Sequence, residues 1–431
     1  MNYYLPDSQD MVDPSFDFTA ETRGADRVRQ QDDRYAHEIF STRAFDGVLV
    51  SKAIVDGTGG AGQARYTQAQ RRRLLREGVR TFFRAELHRW GPLSFMGDCG
   101  AFTYIKAERP PYTVDEVIDF YDRCGFDHGI AVDHVIREFR PQWDSDLFAG
   151  ISHGSLASLH DRQQLTLDLA SEFFTTIQRG RLRVGPVGVA QGWGPRSYAH
   201  ATAVLQKIGY RYIALGGVAA LRTPDILRCL AEIQEIRRSD TRLHLLGVNR
   251  LNQLKAFAAY GVVSFDSTSP LRQAFMDDRN NYHTVDRAYS AVRVPQVDGN
   301  ARLAARVRSG EVDQDVARGA ERRCLRALAE YDAGERRPLA PVLAALRAYQ
   351  RIHDARTDRT EAYREVLEAA PWRQCPCEVC KQLGHHVILF RGAERNRRRG
   401  FHNVWTLYQR LARGLAADNQ RVGDAHAPAV R

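Results

Sequence analysis

Short apolar runs alternate with amphipathic stretches from about residue 46 to about residue 270. Seven of these runs are nearly continuous and rich in β-branched residues, which is typical of parallel strands buried on both faces. They cover residues 47–55, 92–98, 129–135, 184–191, 212–218, 243–248 and 262–267. Between them, stretches such as 71–89, 113–125 and 224–238 have the spacing of helices. The pattern favours an α/β fold, a (β/α)8 TIM barrel, over an open sheet, with residues 289–297 predicted as the eighth strand.

The chain changes character on either side of this region. Residues 1–45 are polar and are predicted to form an N-terminal extension, followed by a catalytic barrel over 46–299. Residues 300–418 are rich in Ala, Arg and Glu, which predicts a helical subdomain that ends in a closing helix. Residues 419–431 are predicted to be disordered.

The helical region contains a motif of metal-ligand type. Cys375, Cys377 and Cys380 are followed, after twenty-one residues, by His402. Three thiolates and an imidazole suit a tetrahedral zinc site with no position left for water, so the predicted ion is structural. The alternative interpretation is a set of ordinary reduced thiols in a helical segment.

Composition limits the class of protein. The hydrophobic fraction of 43% and the charged fraction of 26% are those of a soluble globular protein. No apolar run approaches the roughly 20 residues that span a bilayer, and the acidic N-terminus lacks the layout of a signal peptide. The seven cysteines show no pairing pattern outside the metal motif, which favours a reducing cytoplasm over a disulfide framework.

The net charge is +10, and arginine greatly outnumbers lysine. Guanidinium groups bind phosphate oxygens in a bidentate way, so an arginine-rich surface is a candidate nucleic-acid interface. One cluster lies in 71–80 and a second in 391–399, inside the metal motif. Solvated helix faces explain most runs of this kind, so charge alone leaves both interpretations open.

Catalytic groups of a barrel gather at the carboxyl ends of its strands. Those ends carry Asp98, Asp133, Gln191, Gly216, Gly217, Gly247 and Asp266. Three carboxylates, a carboxamide and bare backbone at one rim have the groups needed to recognise a guanine-like base. Two alternatives stay open at this stage: an Mg²⁺ site made of the carboxylates, and aspartates that cap the following helices.

Taken together, the order of these stretches resembles the tRNA-guanine transglycosylases, zinc-containing barrel enzymes that exchange a guanine in nucleic acid for a 7-deazaguanine. The resemblance spans roughly residues 90 to 410, and the zinc motif follows in the expected place. The matching stretches are Asp98-Cys99-Gly100-Ala101-Phe102-Thr103, Val132-Asp133-His134, Ala190-Gln191-Gly192-Trp193, Leu215-Gly216-Gly217-Val218, Leu246-Gly247-Val248 and Phe265-Asp266-Ser267-Thr268-Ser269-Pro270-Leu271-Arg272.

The resemblance implies a double displacement. Asp266 is expected to attack C1′ of the target nucleotide and form a covalent glycosyl ester, with Asp98 as general acid and base. The expected base-binding residues are Phe102, Asp133, Gln191, Gly216, Gly217, Leu246 and Gly247. The expected nucleic-acid contacts are Arg272, Arg395, Arg397, Arg398 and Arg399, and Zn²⁺ takes no part in the displacement.

Departures from the family pattern point to its DNA-modifying branch. They are Cys99, Ala101, Thr103, His134 and Leu271, which line the expected base pocket and polynucleotide path, while both catalytic aspartates are kept. The leading hypothesis is therefore insertion of 7-cyano-7-deazaguanine into DNA. The alternatives are a tRNA-guanine transglycosylase and a non-catalytic nucleic-acid-binding subunit. Expected partners are DNA, a helper ATPase that opens the duplex, and a second copy of the chain, as family members often dimerise around the zinc region.

Overall fold

Eight parallel strands close into a barrel in the computed structural model, which describes residues 1–57, 65–86, 89–148, 154–276, 278–334 and 338–424. Neighbours in sequence are neighbours in the sheet, from first to last. The barrel strands are β1 Asn2–Pro6, β2 Gly47–Ser51, β3 Ser94–Asp98, β4 His128–Ile130, β5 Gly185–Ala190, β6 Tyr212–Leu215, β7 Arg242–Leu245 and β8 Val262–Asp266. The predicted barrel class is confirmed, and β2 to β8 overlap the seven predicted apolar runs, with β4 and β7 beginning one residue earlier than predicted.

The predicted eighth strand is wrong. The barrel is closed by β1, which pairs in parallel with β2 on one side and with β8 on the other. Its tyrosines are buried, and the hydroxyl groups of Tyr3 and Tyr4 donate to the backbone oxygen of Ser267 and to Ser94 Oγ. Segment 289–297 instead contributes to two small sheets, made by β9 Tyr282–His283 with β10 Ala288–Tyr289, and by β11 Val292–Arg293 with β12 Leu389–Phe390.

Helices occupy most of the connections. The first ten are α1 Ala36–Ile39, α2 Lys52–Asp56, α3 Gln68–Phe82, α4 Val114–Cys124, α5 Trp143–Phe148, α6 Gly154–Gly180, α7 Pro195–Ile208, α8 Thr223–Ile236, α9 Leu254–Ala259 and α10 Ser269–Met276. The remaining seven are α11 Ala301–Arg308, α12 Gln314–Ala333, α13 Ala340–His353, α14 Thr360–Ala369, α15 Pro371–Gln374, α16 Glu378–Leu383 and α17 Gly392–Asp424. Within α3 the helix breaks at Gly78, whose φ of +76° is a left-handed conformation.

The barrel interior is filled by side chains that alternate along the strands, as expected for a packed barrel core. Its apolar cluster consists of Tyr4, Leu49, Met96, Ile130, Val187, Val189, Tyr212 and Ala214. Consecutive side chains of a strand point to opposite faces. The alternation that places Tyr212 and Ala214 inside the barrel therefore also determines which side chains point inward at the carboxyl ends of the strands. Polar residues at the rim are therefore held on a rigid, well-packed base.

The chain divides into two compact units whose limits differ from the predicted domain boundaries. The barrel unit comprises 1–9, 45–268 and 411–431, and the second unit comprises 10–44 and 269–410. The first nine residues of the predicted N-terminal extension thus belong to the barrel unit. Of the predicted disordered tail 419–431, residues up to Asp424 continue α17, and 425–431 lie outside the described residues. None of the described helices is long and apolar enough to cross a membrane.

Candidate active site

One pocket at the carboxyl rim of the barrel gathers every residue that was predicted to bind or transform a base. Asp98 ends β3 and Asp266 ends β8, Phe102 lies in the turn after β3, and the other members follow β4, β5, β6 and β7. The lining includes Asp98, Phe102, Asp133, Gln191, Gly216, Gly217, Leu246, Gly247 and Asp266. The strand ends of a parallel barrel converge on one face, so residues far apart in sequence meet there.

Asp98 lines this pocket and is half-buried. Burial, followed by the negative charge of Asp133, raises the pKa of Asp98 to about 7. The charge of Asp266 acts in the same direction. A carboxyl group with a pKa near neutrality exists in both protonation states at working pH, which is what a general acid and base needs.

Asp133 is the centre of a buried hydrogen-bond network. Its Oδ2 accepts from Gln191 Nε2 at 2.6 Å, and its Oδ1 accepts from the Cys99 thiol at 3.2 Å. The hydroxyl group of Tyr104 in turn donates to Cys99 Sγ at 3.0 Å. Burial raises the pKa of Asp133 to about 6. The backbone N–H of Ile136 donates to Gln191 Oε1, which fixes the orientation of the amide and points its Nε2 toward the carboxyl group.

The two glycines after β6 are required by their surroundings. A Cβ atom on Gly216 would lie 2.1 Å from Gln191 Nε2, and one on Gly217 would lie 2.5 Å from the backbone oxygen of Ile136. Gly217 also has a φ of +76°, which favours glycine. The backbone therefore approaches the Asp133–Gln191 pair closely enough to offer its own polar groups to a planar ligand.

Asp266 sits in a different environment from Asp98. Its Oδ1 accepts two hydrogen bonds, one from the backbone N–H of Gly247 at 2.9 Å and one at 3.1 Å from His244 Nε2. Its side chain keeps 10% of its surface exposed, on the side of the pocket. Among the described residues both donors act on Oδ1, so Oδ2 is the oxygen left for an incoming electrophile.

Apolar surfaces complete the pocket. Phe102 lies in the short 3-10 turn Ala101–Tyr104 and is 58% exposed, an unusual position for a large aromatic side chain. Leu246 follows β7 and packs against the apolar cluster of the barrel. Both line the cavity that the carboxyl groups face. Two apolar surfaces at one pocket suit the faces of a purine, and the polar groups suit its edge.

The four predicted metal ligands come together in the second unit. Nδ1 of His402 lies 3.7, 3.4 and 3.3 Å from the sulfur atoms of Cys375, Cys377 and Cys380. All four ligand atoms lie within 4.8 Å of one another. His402 Nε2 donates to the backbone oxygen of His283 at 2.6 Å, which leaves Nδ1 unprotonated for a metal. The donor set and its outer hydrogen bond therefore fit a closed tetrahedral metal site.

The structure corrects most of the predicted arginine contacts to nucleic acid. Arg395, Arg398 and Arg399 are at most 2% exposed. Arg395 forms an ion pair with Glu21, and the other two donate to backbone oxygens. Guanidinium groups with so little exposed surface do not present their N–H groups to a phosphate on an outside ligand. Their positions within the described second unit are those of structural residues.

Arg397 and Arg272 differ from these three. The side chain of Arg397 is 37% exposed, and its contacts with the described residues are long: 3.4 Å to the backbone oxygen of Met11 and 3.9 Å to Glu394. Arg272 is exposed and lies against the sulfur of Met276. Of the predicted phosphate-binding residues, these two keep an accessible guanidinium group.

Comparison with known proteins identifies the family. No protein-family model matches the chain. A DNA-guanine transglycosylase of Salmonella montevideo is 47% identical to it over 415 residues, which cover 95% of this chain and 96% of the relative. The chain belongs to the DNA-guanine transglycosylase family. The recognised resemblance to the DNA-modifying branch of the guanine transglycosylases is thereby confirmed.

Three residues that contact members of this pocket, or the partners of those members, escaped the sequence prediction. His244 contacts Asp266, Ser264 contacts His244, and Tyr104 contacts Cys99. A signal was present for His244, because a histidine interrupts the apolar run 243–248 at a position that faces the barrel interior. No comparable signal marks Ser264 or Tyr104, whose residue types are common in ordinary strands and turns.

Proposed function

We propose that this protein exchanges guanine in DNA for a 7-deazaguanine base, with 7-cyano-7-deazaguanine as the incoming base, through a covalent ester on Asp266. The observation that carries the proposal is that Asp98 and Asp266 line the same pocket but have different surroundings. Asp98 has its pKa raised to about 7, whereas Asp266 has one oxygen held by two N–H donors. A pair of carboxyl groups with unlike surroundings is typical of enzymes that combine a nucleophile with an acid and base.

In the first half of the reaction, Oδ2 of Asp266 attacks C1′ of the target nucleotide. The C1′–N9 bond breaks as the C1′–Oδ2 bond forms, and guanine leaves with a proton supplied by Asp98. The target nucleotide has to leave the helical stack to enter the pocket. Asp133, Gln191 and the backbone at Gly216 and Gly217 bind the edge of the purine, while Phe102 and Leu246 cover its faces.

In the second half, the incoming deazaguanine gives its N9 proton to the ionised Asp98. Its nitrogen then bonds C1′, and the C1′–Oδ2 bond breaks to restore the Asp266 carboxylate. Ester formation has meanwhile removed the negative charge of Asp266, which is one cause of the raised pKa of Asp98. We therefore expect the pKa of Asp98 to fall in the covalent intermediate, where Asp98 must stay ionised to act as a base.

The metal site is proposed to hold Zn²⁺ in a structural role. Three thiolates and one imidazole select soft or borderline ions, and zinc is the common occupant of such closed sites. Cys375, Cys377, Cys380 and His402 would hold it, joining α16 to α17 and tying the segment before α16 to both. A bound zinc ion would supply folding energy to this unit and no step of the exchange.

The finer partner assignments are also proposals. The sequence contains no Gly-Lys pair, and therefore no P-loop, so ATP-driven opening of duplex DNA would come from a separate helper ATPase. A homodimer is the further expectation from the family resemblance. None of the seven cysteines, all of which lie in the described residues, forms a disulfide, which fits a reducing cytoplasm as the protein's location.

Incorporation of labelled base tests the proposal. The protein is incubated with labelled 7-cyano-7-deazaguanine and, in parallel, with single-stranded DNA, duplex DNA and tRNA. We expect label in single-stranded DNA, loss of incorporation in Asp266→Asn, and incorporation close to wild type in Arg228→Gln, a surface change in the same barrel. Incorporation into tRNA alone would overturn the choice of substrate. Full activity of Asp266→Asn would overturn the covalent mechanism.

A further inference from the structure

A chain of hydrogen bonds runs through the barrel interior to Asp266. Tyr212 on β6 is 2.5 Å from Ser264 Oγ on β8, and Ser264 Oγ is 2.8 Å from His244 Nδ1 on β7. His244 Nε2 then reaches Asp266 Oδ1 at 3.1 Å. His244 and Ser264 are directly paired in the register of their two strands. The positions of the hydrogen-bonded groups are therefore set by the pairing of the strand backbones as well as by the side chains themselves.

The orientation of the His244 ring is tightly constrained. The side chain is fully buried, and its ring lies edge-on to Tyr4 and Tyr212, with centroid distances of 5.9 and 6.4 Å. A carboxylate only accepts hydrogen bonds, so Nε2 must carry the proton that faces Asp266. This holds for the neutral and the protonated ring alike. In the neutral ring Nδ1 accepts from the Ser264 hydroxyl, and Ser264 accepts from Tyr212.

Two N–H groups consequently point at one oxygen of the proposed nucleophile. The second is the backbone N–H of Gly247, 2.9 Å from the same Oδ1. Gly247 has a φ of +70°, the turn conformation in which its N–H faces the end of β8. One donor comes from a side chain and one from the backbone. Such a pair resembles an oxyanion site that is built for a carboxylate instead of a tetrahedral intermediate.

We infer that His244 is a positioning residue that reserves Oδ1 of Asp266 as the carbonyl oxygen of the ester and stabilises the carboxylate as it leaves. The inference rests on the proposed function. In the first displacement, Oδ2 bonds C1′ and guanine departs with the Asp98 proton. In the second, C1′ bonds N9 of the incoming base, the C1′–Oδ2 bond breaks, and the electron pair returns to the carboxylate.

Both donors stabilise the free carboxylate of Asp266 more than they stabilise its ester. Hydrogen bonds to a charged carboxylate are stronger than those to a neutral ester carbonyl, so they favour free carboxylate over ester. Removing the His244 donor shifts the balance toward the covalent intermediate. We expect the ester to decay about tenfold more slowly and to accumulate to a higher fraction of the enzyme.

Two amide substitutions separate this role from packing. In His244→Gln the amide nitrogen takes the place of Nε2 and still reaches Asp266. In His244→Asn the amide can replace only Nδ1, so it keeps the contact to Ser264 and loses the contact to Asp266. Leu245→Ala, a buried neighbour on the same strand whose side chain points to the opposite face, controls for loosening of β7.

The measurement is the decay of the covalent protein–DNA adduct. Adduct is formed on single-stranded DNA without incoming base, decay is started with excess 7-cyano-7-deazaguanine, and samples are denatured at intervals. We expect about tenfold slower decay in His244→Asn, decay within about threefold of wild type in His244→Gln, and a wild-type rate per folded molecule in Leu245→Ala.

Three outcomes would overturn the inference: decay of the Asn variant within twofold of wild type, equal slowing of both amide variants, or the same slowing in Leu245→Ala. Absence of any adduct in the wild-type protein would instead remove the proposed function on which the inference rests. The two failures are therefore distinguishable in one set of reactions.

Discussion

At the scale of single residues, the site is a contrast between two aspartates that composition alone makes equivalent. Asp98 and Asp266 were both recognisable in the sequence as strand-end carboxyl groups. What distinguishes them is environment: burial beside Asp133 for one, two N–H donors for the other. Those donors come from β7 and the turn after it, and no local pattern around Asp266 predicts them. The sequence could place both aspartates at one rim, where the structure has them, but it could not predict the difference in their surroundings on which their proposed roles rest.

The raised pKa of Asp98 predicts opposite pH dependences for the two half-reactions. Guanine expulsion needs protonated Asp98, so adduct formation should fall as pH rises above about 7. Adduct decay needs ionised Asp98 and should fall as pH decreases, with its midpoint below 7 because the ester has removed the charge of Asp266. Single-turnover rates between pH 5 and pH 9 measure both. Parallel profiles for the two steps would contradict the assignment of Asp98.

The same pKa predicts a change in stability. An unfolded aspartate ionises near 3.8 but Asp98 in the fold only near 7, so the folded state loses stability as pH rises between these values. Asp98→Asn should therefore be more stable than wild type at pH 8, by on the order of 2–4 kcal/mol, and about equal to it near pH 4. Denaturant unfolding at both pH values measures this. A variant less stable than wild type at pH 8 would contradict it.

At the scale of elements, seven strands were predictable and one was not. The seven are nearly continuous apolar runs, because a strand covered on both faces has no polar side. The strand β1 has the sequence Asn-Tyr-Tyr-Leu-Pro, which is short, begins with a polar residue and lies in a polar region. Its tyrosines are buried, and their hydroxyl groups donate to the backbone oxygen of Ser267, just after β8, and to Ser94 Oγ on β3. Hydrophobicity therefore misses it, and pairing with β2 and β8 makes it a strand.

Arginines of helix α17 that look alike in the sequence differ in how deeply they are buried. Arg399 is fully buried and donates to the backbone oxygens of Val387, Leu389 and Ala274. Arg399→Met should destabilise the protein by about 2–4 kcal/mol, because those oxygens lose a charged donor. Arg397→Met, a matched change two positions away, should cost less than about 0.5 kcal/mol and weaken binding to single-stranded DNA.

Denaturant unfolding and a titration of labelled DNA measure the two effects. Equal stability losses at both positions would show that exposure does not separate their roles. If Arg399→Met bound DNA more weakly than wild type under conditions in which the variant is fully folded, the original prediction that this arginine contacts phosphate would be restored.

At the scale of the whole molecule, each unit has its own organising feature: the closed sheet in the barrel unit and the Cys3His cluster in the second unit. The cluster was fully predictable, because ligand spacing is a local property of the sequence. The limits of the units were not. Contributions from 10–44 to the second unit and from 411–424 to the barrel unit depend on contacts distant in sequence.

Loss of one ligand should affect metal content and stability together. Cys380→Ser should bind less than the single Zn²⁺ per chain expected of the wild type, and its thermal midpoint should fall by several degrees. Cys324→Ser is the matched control, since Cys324 is a buried thiol of the same unit that is no ligand. Elemental analysis and calorimetry measure the result. Equal metal content in both variants would contradict the site.

The most direct test of the central claim is to locate the covalent bond. Adduct is formed with single-stranded DNA in the absence of incoming base, the DNA is digested, and the modified peptide is sequenced by mass spectrometry. The account predicts a 2′-deoxyribosyl group on Asp266, formed with DNA, absent in Asp266→Asn and removed by added 7-deazaguanine base. A modification on Asp98 or Asp133, or base exchange with no modified peptide, would contradict it.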